Sequence, residues 1–238
     1  MTDLATFWSY LSEGPLLWLT LTLAAYLAGD AAYRRSGRKP YVNTVLVAVA
    51  ILALILWATG TPYGTYFEGA QFVHFLLGPA TVALALPLYD NLARLRRAAL
   101  PVVAAVIVGS TVAAGSAIAI AALMGAEDQA LASLAPKSAT APVAIGIAEQ
   151  IGGAPTLTAV LVILTGITGA VIATPLLNAL GIRDWRARGL SVGVAAHGIG
   201  TARAFQVNPT AGAVSGLGMA LNAGATAFVA PLILDLFR

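Results

Sequence analysis

Apolar residues run along this chain in long blocks, and polar residues are confined to short gaps between them. Eight blocks stand out, at about 15–33, 42–60, 69–90, 100–124, 129–149, 156–180, 187–206 and 210–236. Each is long enough to span roughly 30 Å of hydrocarbon as an α-helix. A membrane β-barrel would show shorter segments of strict alternation instead. The predicted architecture is an all-α polytopic membrane protein with one transmembrane domain over 1–238, built from 1–62, 63–128, 129–182 and 183–238.

Two blocks carry interruptions. "SLAPKSATAP", at 133–142, places Pro136, Lys137, Ser138, Thr140 and Pro142 inside the fifth block. Each proline removes a backbone donor and pushes the residue before it out of the α region. "AHGIGTARA", at 196–204, places His197, Gly198, Gly200, Thr201 and Arg203 inside the seventh. Irregular backbone survives at membrane depth only where it lines a cavity or is buried in protein. Both blocks are therefore expected to break, near 135–142 and 197–201, with the breaks approaching each other.

Composition agrees with the pattern. The chain is 59% hydrophobic and 10% charged, against roughly 25% charged in a soluble domain. It has no cysteine, so disulfides and thiolate metal sites are excluded. The first 15 residues contain Asp3 and Glu13 but no basic residue, unlike a signal peptide. Insertion is expected to begin with the first apolar block.

Charge then sets topology. Basic clusters lie at 33–39, 94–97 and 183–188, and the positive-inside rule assigns each to the cytoplasm. Three blocks separate the second cluster from the third, so three full crossings would put the third outside. The conflict vanishes if the fifth block dips in and returns on the same side. An internal similarity points the same way: 140–177 resembles 201–234, with a fainter copy at 76–89. With one re-entrant segment the two copies enter from opposite faces, as in transporters with inverted repeats.

The polar residues of the two breaks suggest an anion site. A lysine at the bilayer centre costs about 2.5–3.5 kcal/mol on insertion scales. Lys137 and Arg203 are expected to face one cavity, with Ser138, Thr140 and Thr201 bonding carboxylate or hydroxyl oxygens, and half-helix N-termini adding positive potential. His197, or alternatively Glu149, is the proton-coupling candidate. Simpler readings stand beside these. Lys137 could snorkel or pair with Glu149, His197 could be a packed histidine, and Arg203 an interfacial anchor. No metal set, cofactor motif or Ser–His–Asp arrangement is visible, and an enzyme is not expected. The basic residues mark topology and not nucleic acid.

"LAPKSATAPVAIGIAEQIGGAPTLTAV", "RGLSVGVAAHGIGTARA" and "LLGPATVALALPLYDN" together resemble the LrgB/CidB family. Members usually carry Val and Thr where this chain has Ala139 and Ala141, and Ala in place of Gly198. The resemblance implies a multi-pass protein of the bacterial inner membrane with one of two roles. The plastid relative is a glycolate/glycerate translocator, and bacterial pairs are associated with pyruvate or acetate movement. This gives the expected function, a carrier of small monocarboxylates or 2-hydroxy acids with proton coupling. Other bacterial members are named antiholin-like and linked to murein hydrolase control and lysis, which gives the alternative of a pore component. Absence of an LrgA-like part implies a separate small LrgA/CidA-like membrane partner. A homodimer stays open.

Overall fold

The computed structural model describes residues 14–39, 41–76, 79, 82, 89 and 98–238. Half of the third apolar block, the 94–97 cluster, most of the faint repeat copy at 76–89 and the first 13 residues lie outside these. Contacts divide the chain into two units, Met1–Val82 and Ala83–Arg238.

The first unit contains α1 (Pro15–Arg35), α2 (Thr44–Thr59) and α3 (Tyr63–Phe75). Pro15 opens α1, where a missing N–H is tolerated. Asn43 caps α2 by accepting from the N–H groups of Val45 and Leu46. Gly60, with φ of 64°, closes it. Gly29 lets the backbones of α1 and α2 meet, since a Cβ there would lie 2.5 Å from the Thr44 carbonyl oxygen. Trp18 is fully buried and packs edge-on against Tyr66.

The second unit contains α4 (Ala99–Leu123), α5 (Asp128–Leu134), α6 (Ala141–Ile151), α7 (Pro155–Ala179), α8 (Trp185–Val207) and α9 (Pro209–Asp235). Among the described residues, α1, α4, α7 and α9 are long and apolar enough to cross a membrane. Their outward faces carry residues such as Val108, Val112, Ile120, Leu164, Ile172, Phe228 and Leu232. Their inward faces carry Ser110, Thr158, Ser215, Asn222 and Thr226, all buried. Apolar outside and polar within is the arrangement that hydrocarbon solvent selects.

The fifth block breaks as expected. The turns of α5 run on to Ala139 through bonds from the N–H of Ala135 to Leu131, of Lys137 to Leu134 and of Ala139 to Pro136. The chain then reverses at Thr140 and returns as α6. Ile151 and Ile147 pack back against Leu131, Ala132 and Ala135. Pro142 sits in the first turn of α6, where it starts that helix and withholds the N–H that would continue the preceding turns past Ser138.

The seventh block departs further from expectation. Its irregular residues are Ala196 (φ −130°, ψ 16°) and His197 (φ 39°, ψ −135°), while Gly198 and Gly200 are helical. The glycines are not the break. The chain folds back on itself at His197. A Cβ on Gly200 would lie 2.9 Å from Val192 Cγ1, although eight residues of continuous helix span about 12 Å. Gly200 therefore permits the two legs to close. Val192 and Ala204 share one apolar cluster with Leu177 and Ala211. Residues Gly189 and Gly193 meet Ala211 and Ser215 in ascending order along α9, whereas Phe205 and Thr201 meet Gly212 and Ser215–Gly216 in descending order. The legs are thus antiparallel, and α8 is a second re-entrant hairpin.

Asp184 caps this hairpin by accepting from the Arg186 N–H. Hydrogen bonds from Arg186 hold the exposed Asp184 carboxyl at a pKa of about 2. Because both hairpins return to the face they leave, Asn178 and Thr210 should lie on one side of the membrane and Gln150 on the other. Single cysteines at these three exposed positions are expected to label accordingly in sealed vesicles. Opposite labelling of 178 and 210 would mean that α8 crosses.

Candidate functional site

The two hairpin tips meet at the middle of α7. Ala139 and Ala144, flanking the first tip, pack against Val162. His197, at the second tip, places Nε2 2.8 Å from the Val162 carbonyl oxygen. A carbonyl only accepts, so Nε2 carries the proton and Nδ1 is the basic atom. Gly166 leaves room for the ring, since a Cβ there would fall 2.6 Å from His197 Cε1. The His197 backbone has a φ that non-glycine residues rarely adopt, a form of strain that collects at functional sites. It is held by Thr201 Oγ1, which donates to the His197 carbonyl at 2.7 Å and contacts Ser215 Oγ at 2.9 Å.

The first tip is pinned from three sides. The Ser133 hydroxyl accepts from the Ala154 N–H at 2.8 Å and donates to the Gln129 carbonyl. The Ser133 carbonyl accepts from Thr158 Oγ1 on α7 at 3.1 Å. The Ser138 carbonyl accepts from Asn222 Nδ2 on α9 at 3.0 Å, and Asn222 Oδ1 accepts from Ser110 on α4 at 2.5 Å. Ser110, Thr158, Asn222 and Ser215 were not foreseen. An asparagine inside an apolar 27-residue helix was the available signal, because a polar side chain at that depth needs a partner.

Lys137, Ser138, Thr140, His197 and Thr201 are brought to this junction. Lys137 is half-buried, with Nζ 3.4 Å from Ser138 Oγ. The Thr140 hydroxyl is buried and has no hydrogen-bond partner. Arg203 is not brought to Lys137. It lines a small crevice with Thr174, Trp185 and Arg188 at the base of the second hairpin. There Arg188 donates to the carbonyls of Ile182 and Thr174 and stacks on Trp185. The expectation that two cations face one cavity is therefore corrected by the reversal of α8, which carries Arg203 away from the tip. Glu149 is exposed near the outer end of α6, away from both tips.

Both tips are also helix starts. α6 begins at the first tip with no side chain capping its N-terminus. The returning leg of α8 begins at the second. An uncapped helix start, one ammonium and the unpartnered Thr140 hydroxyl lie together at the first tip, and this combination favours an anion.

These features define a multi-pass α-helical membrane protein whose second unit holds two re-entrant hairpins that meet beside α7. The LrgB-like family model matches residues 22–236, and the chain belongs to that family. It is 38% identical to the uncharacterized protein YwbG of Bacillus subtilis over 91% of this chain and 96% of the relative. It is 36% identical to an uncharacterized protein of Haemophilus influenzae over 82% and 84%. It is 28% identical to the holin-like protein CidB of Staphylococcus aureus over 93% and 96%. No solved structure matches. The protein is a multi-pass protein of the inner membrane, as its family and apolar helices require.

Proposed function

We propose that the chain is a carrier for small monocarboxylates or 2-hydroxy acids. The observation that carries this reading is the convergence of the two broken tips on Val162, with Lys137 and the unpartnered Thr140 hydroxyl beside them. Lys137 and the start of α6 bind the carboxylate, and Ser138 and Thr140 bond its oxygens or a 2-hydroxyl. The order of hairpin followed by spanning helix occurs twice, as α5–α6–α7 and α8–α9. We read this as an inverted repeat, within a scheme of eight apolar segments of which two re-enter. Such repeats recur in secondary transporters, with the site where the interrupted helices meet. The role is non-catalytic. His197 is the proton-coupling group, through Nδ1, since Nε2 is engaged. Glu149 is less suited by its place at the outer end of α6.

A second reading is a holin-like or antiholin-like component of a pore. Similarity to the holin-like CidB proteins of Staphylococcus favours it. In either case family membership supports a small LrgA/CidA-like partner in the membrane.

The test is uptake by the purified protein in liposomes, with labelled glycolate, glycerate, pyruvate and acetate and an imposed pH gradient. Saturable uptake of one of these, without loss of trapped dye, is expected. Dye leakage without saturable uptake would favour the pore.

A further inference from the structure

Among the buried polar groups that the anion site does not use, the side chain of Asn222 reaches the first tip directly. It is fully buried on α9 and bridges two other elements. The Ser138 carbonyl that it holds has no donor four residues ahead, because that residue is Pro142. An unpaired buried carbonyl is expensive, so the tip needs a donor from elsewhere. Asn222 Nδ2 supplies it. Ser110 in turn donates to Asn222 Oδ1, which fixes the amide with its NH₂ toward the tip. The peptide oriented in this way lies between Ser138 and Ala139, one residue past Lys137.

We propose that Asn222, oriented by Ser110, is a positioning residue that sets the direction of the Lys137–Thr140 segment and thereby the affinity of the anion site. This rests on the carrier reading. The bond reaches the ligand only through the tip, so its loss should weaken binding more than it reduces the amount of folded protein.

Two measurements separate the proposal from the reading beneath it. In proteoliposomes, Asn222→Ala is expected to raise KM for the transported monocarboxylate about tenfold with Vmax per folded protein within about twofold. Ser110→Ala should raise KM less, and the double variant should match Asn222→Ala alone, because Ser110 acts through Asn222. Additive effects, or a fall in Vmax with KM unchanged, would overturn the positioning role. The second measurement needs no transport. In a Thr140→Cys background, the single cysteine reports tip geometry by its rate of reaction with a small neutral thiol reagent. Asn222→Ala is expected to accelerate that reaction about tenfold at constant pH, with Asn222→Gln intermediate. A rate within twofold of the parent for Asn222→Ala overturns the proposal, whether or not uptake is seen. Absence of uptake in the unmodified protein, with labelling accelerated as stated, would remove the carrier reading and leave the positioning of the tip intact.

Discussion

Lys137→Ala should reduce saturable monocarboxylate uptake to the level of protein-free liposomes. Among the described residues, the ammonium is the one cation that the structure brings to the meeting point of the hairpins, beside Ser138. A charge-assisted hydrogen bond to a carboxylate contributes about 1.5–3 kcal/mol, or roughly 10–150-fold in affinity, and more when desolvated. Insertion and folding should survive, because no described carboxylate pairs with Lys137 and deleting an unpaired buried cation relieves its desolvation. Lys137→Arg should retain part of the uptake. The measurement is initial rate against substrate concentration, normalised to protein recovered by size exclusion. Uptake by Lys137→Ala equal to that of the unmodified protein would remove Lys137 from the site. Arg203→Ala provides a contrast. Its crevice lies at the hairpin base, so a smaller effect on KM is expected from it than from Lys137→Ala.

Gly193→Val should be among the most destabilising single changes in the second unit. A Cβ at this position would collide with the Ser215 carbonyl and lie 2.9 Å from the Met219 amide nitrogen. Both are backbone atoms of α9, which cannot move without shifting the helix. Overpacking typically costs about 1–3 kcal/mol and more where the neighbours are rigid. Gly146→Ala is the control. It is helical and meets nothing within 4 Å, so replacing glycine should be neutral or stabilising by up to about 1 kcal/mol. Thermal unfolding in detergent, followed by the monodisperse fraction after heating, should rank Gly193→Val well below the unmodified protein and Gly146→Ala level with it or above. Equal stability of the two variants would mean that the packing of α8 on α9 is looser than described.

The apolar blocks and the fifth-block reversal were legible in the sequence because each has a strong local cause. Length against bilayer thickness defines the spans, and proline with lysine inside an apolar block signals interrupted helix. The reversal of α8 was harder to see. Glycine drew the eye to residues 198 and 200, yet the turn is made by Ala196 and His197, whose backbone is held by Thr201, Ser215 and Val162. Those partners come from elsewhere in the chain, and single-sequence patterns do not register them. The misplacement of Arg203 followed directly. Read along an interrupted but onward-running helix, it belongs beside the tip, and only the fold-back sends it to the base. Asn222 was overlooked for the opposite reason, as one polar residue in a long apolar run that resembles an ordinary spanning helix.

The composition of α8 bears on how the protein is made. With Arg186, Arg188, His197 and Arg203 among its 23 residues, it is not among the helices apolar enough to cross on their own. A segment of this kind does not partition from the translocation channel into lipid by hydrophobicity. Its seat is the glycine-lined surface of α9, which is synthesised after it. The expected order of assembly is that α7 and α9 integrate first and the hairpin is seated between them afterwards. Until α9 has emerged from the ribosome, α8 lacks the surface on which it packs.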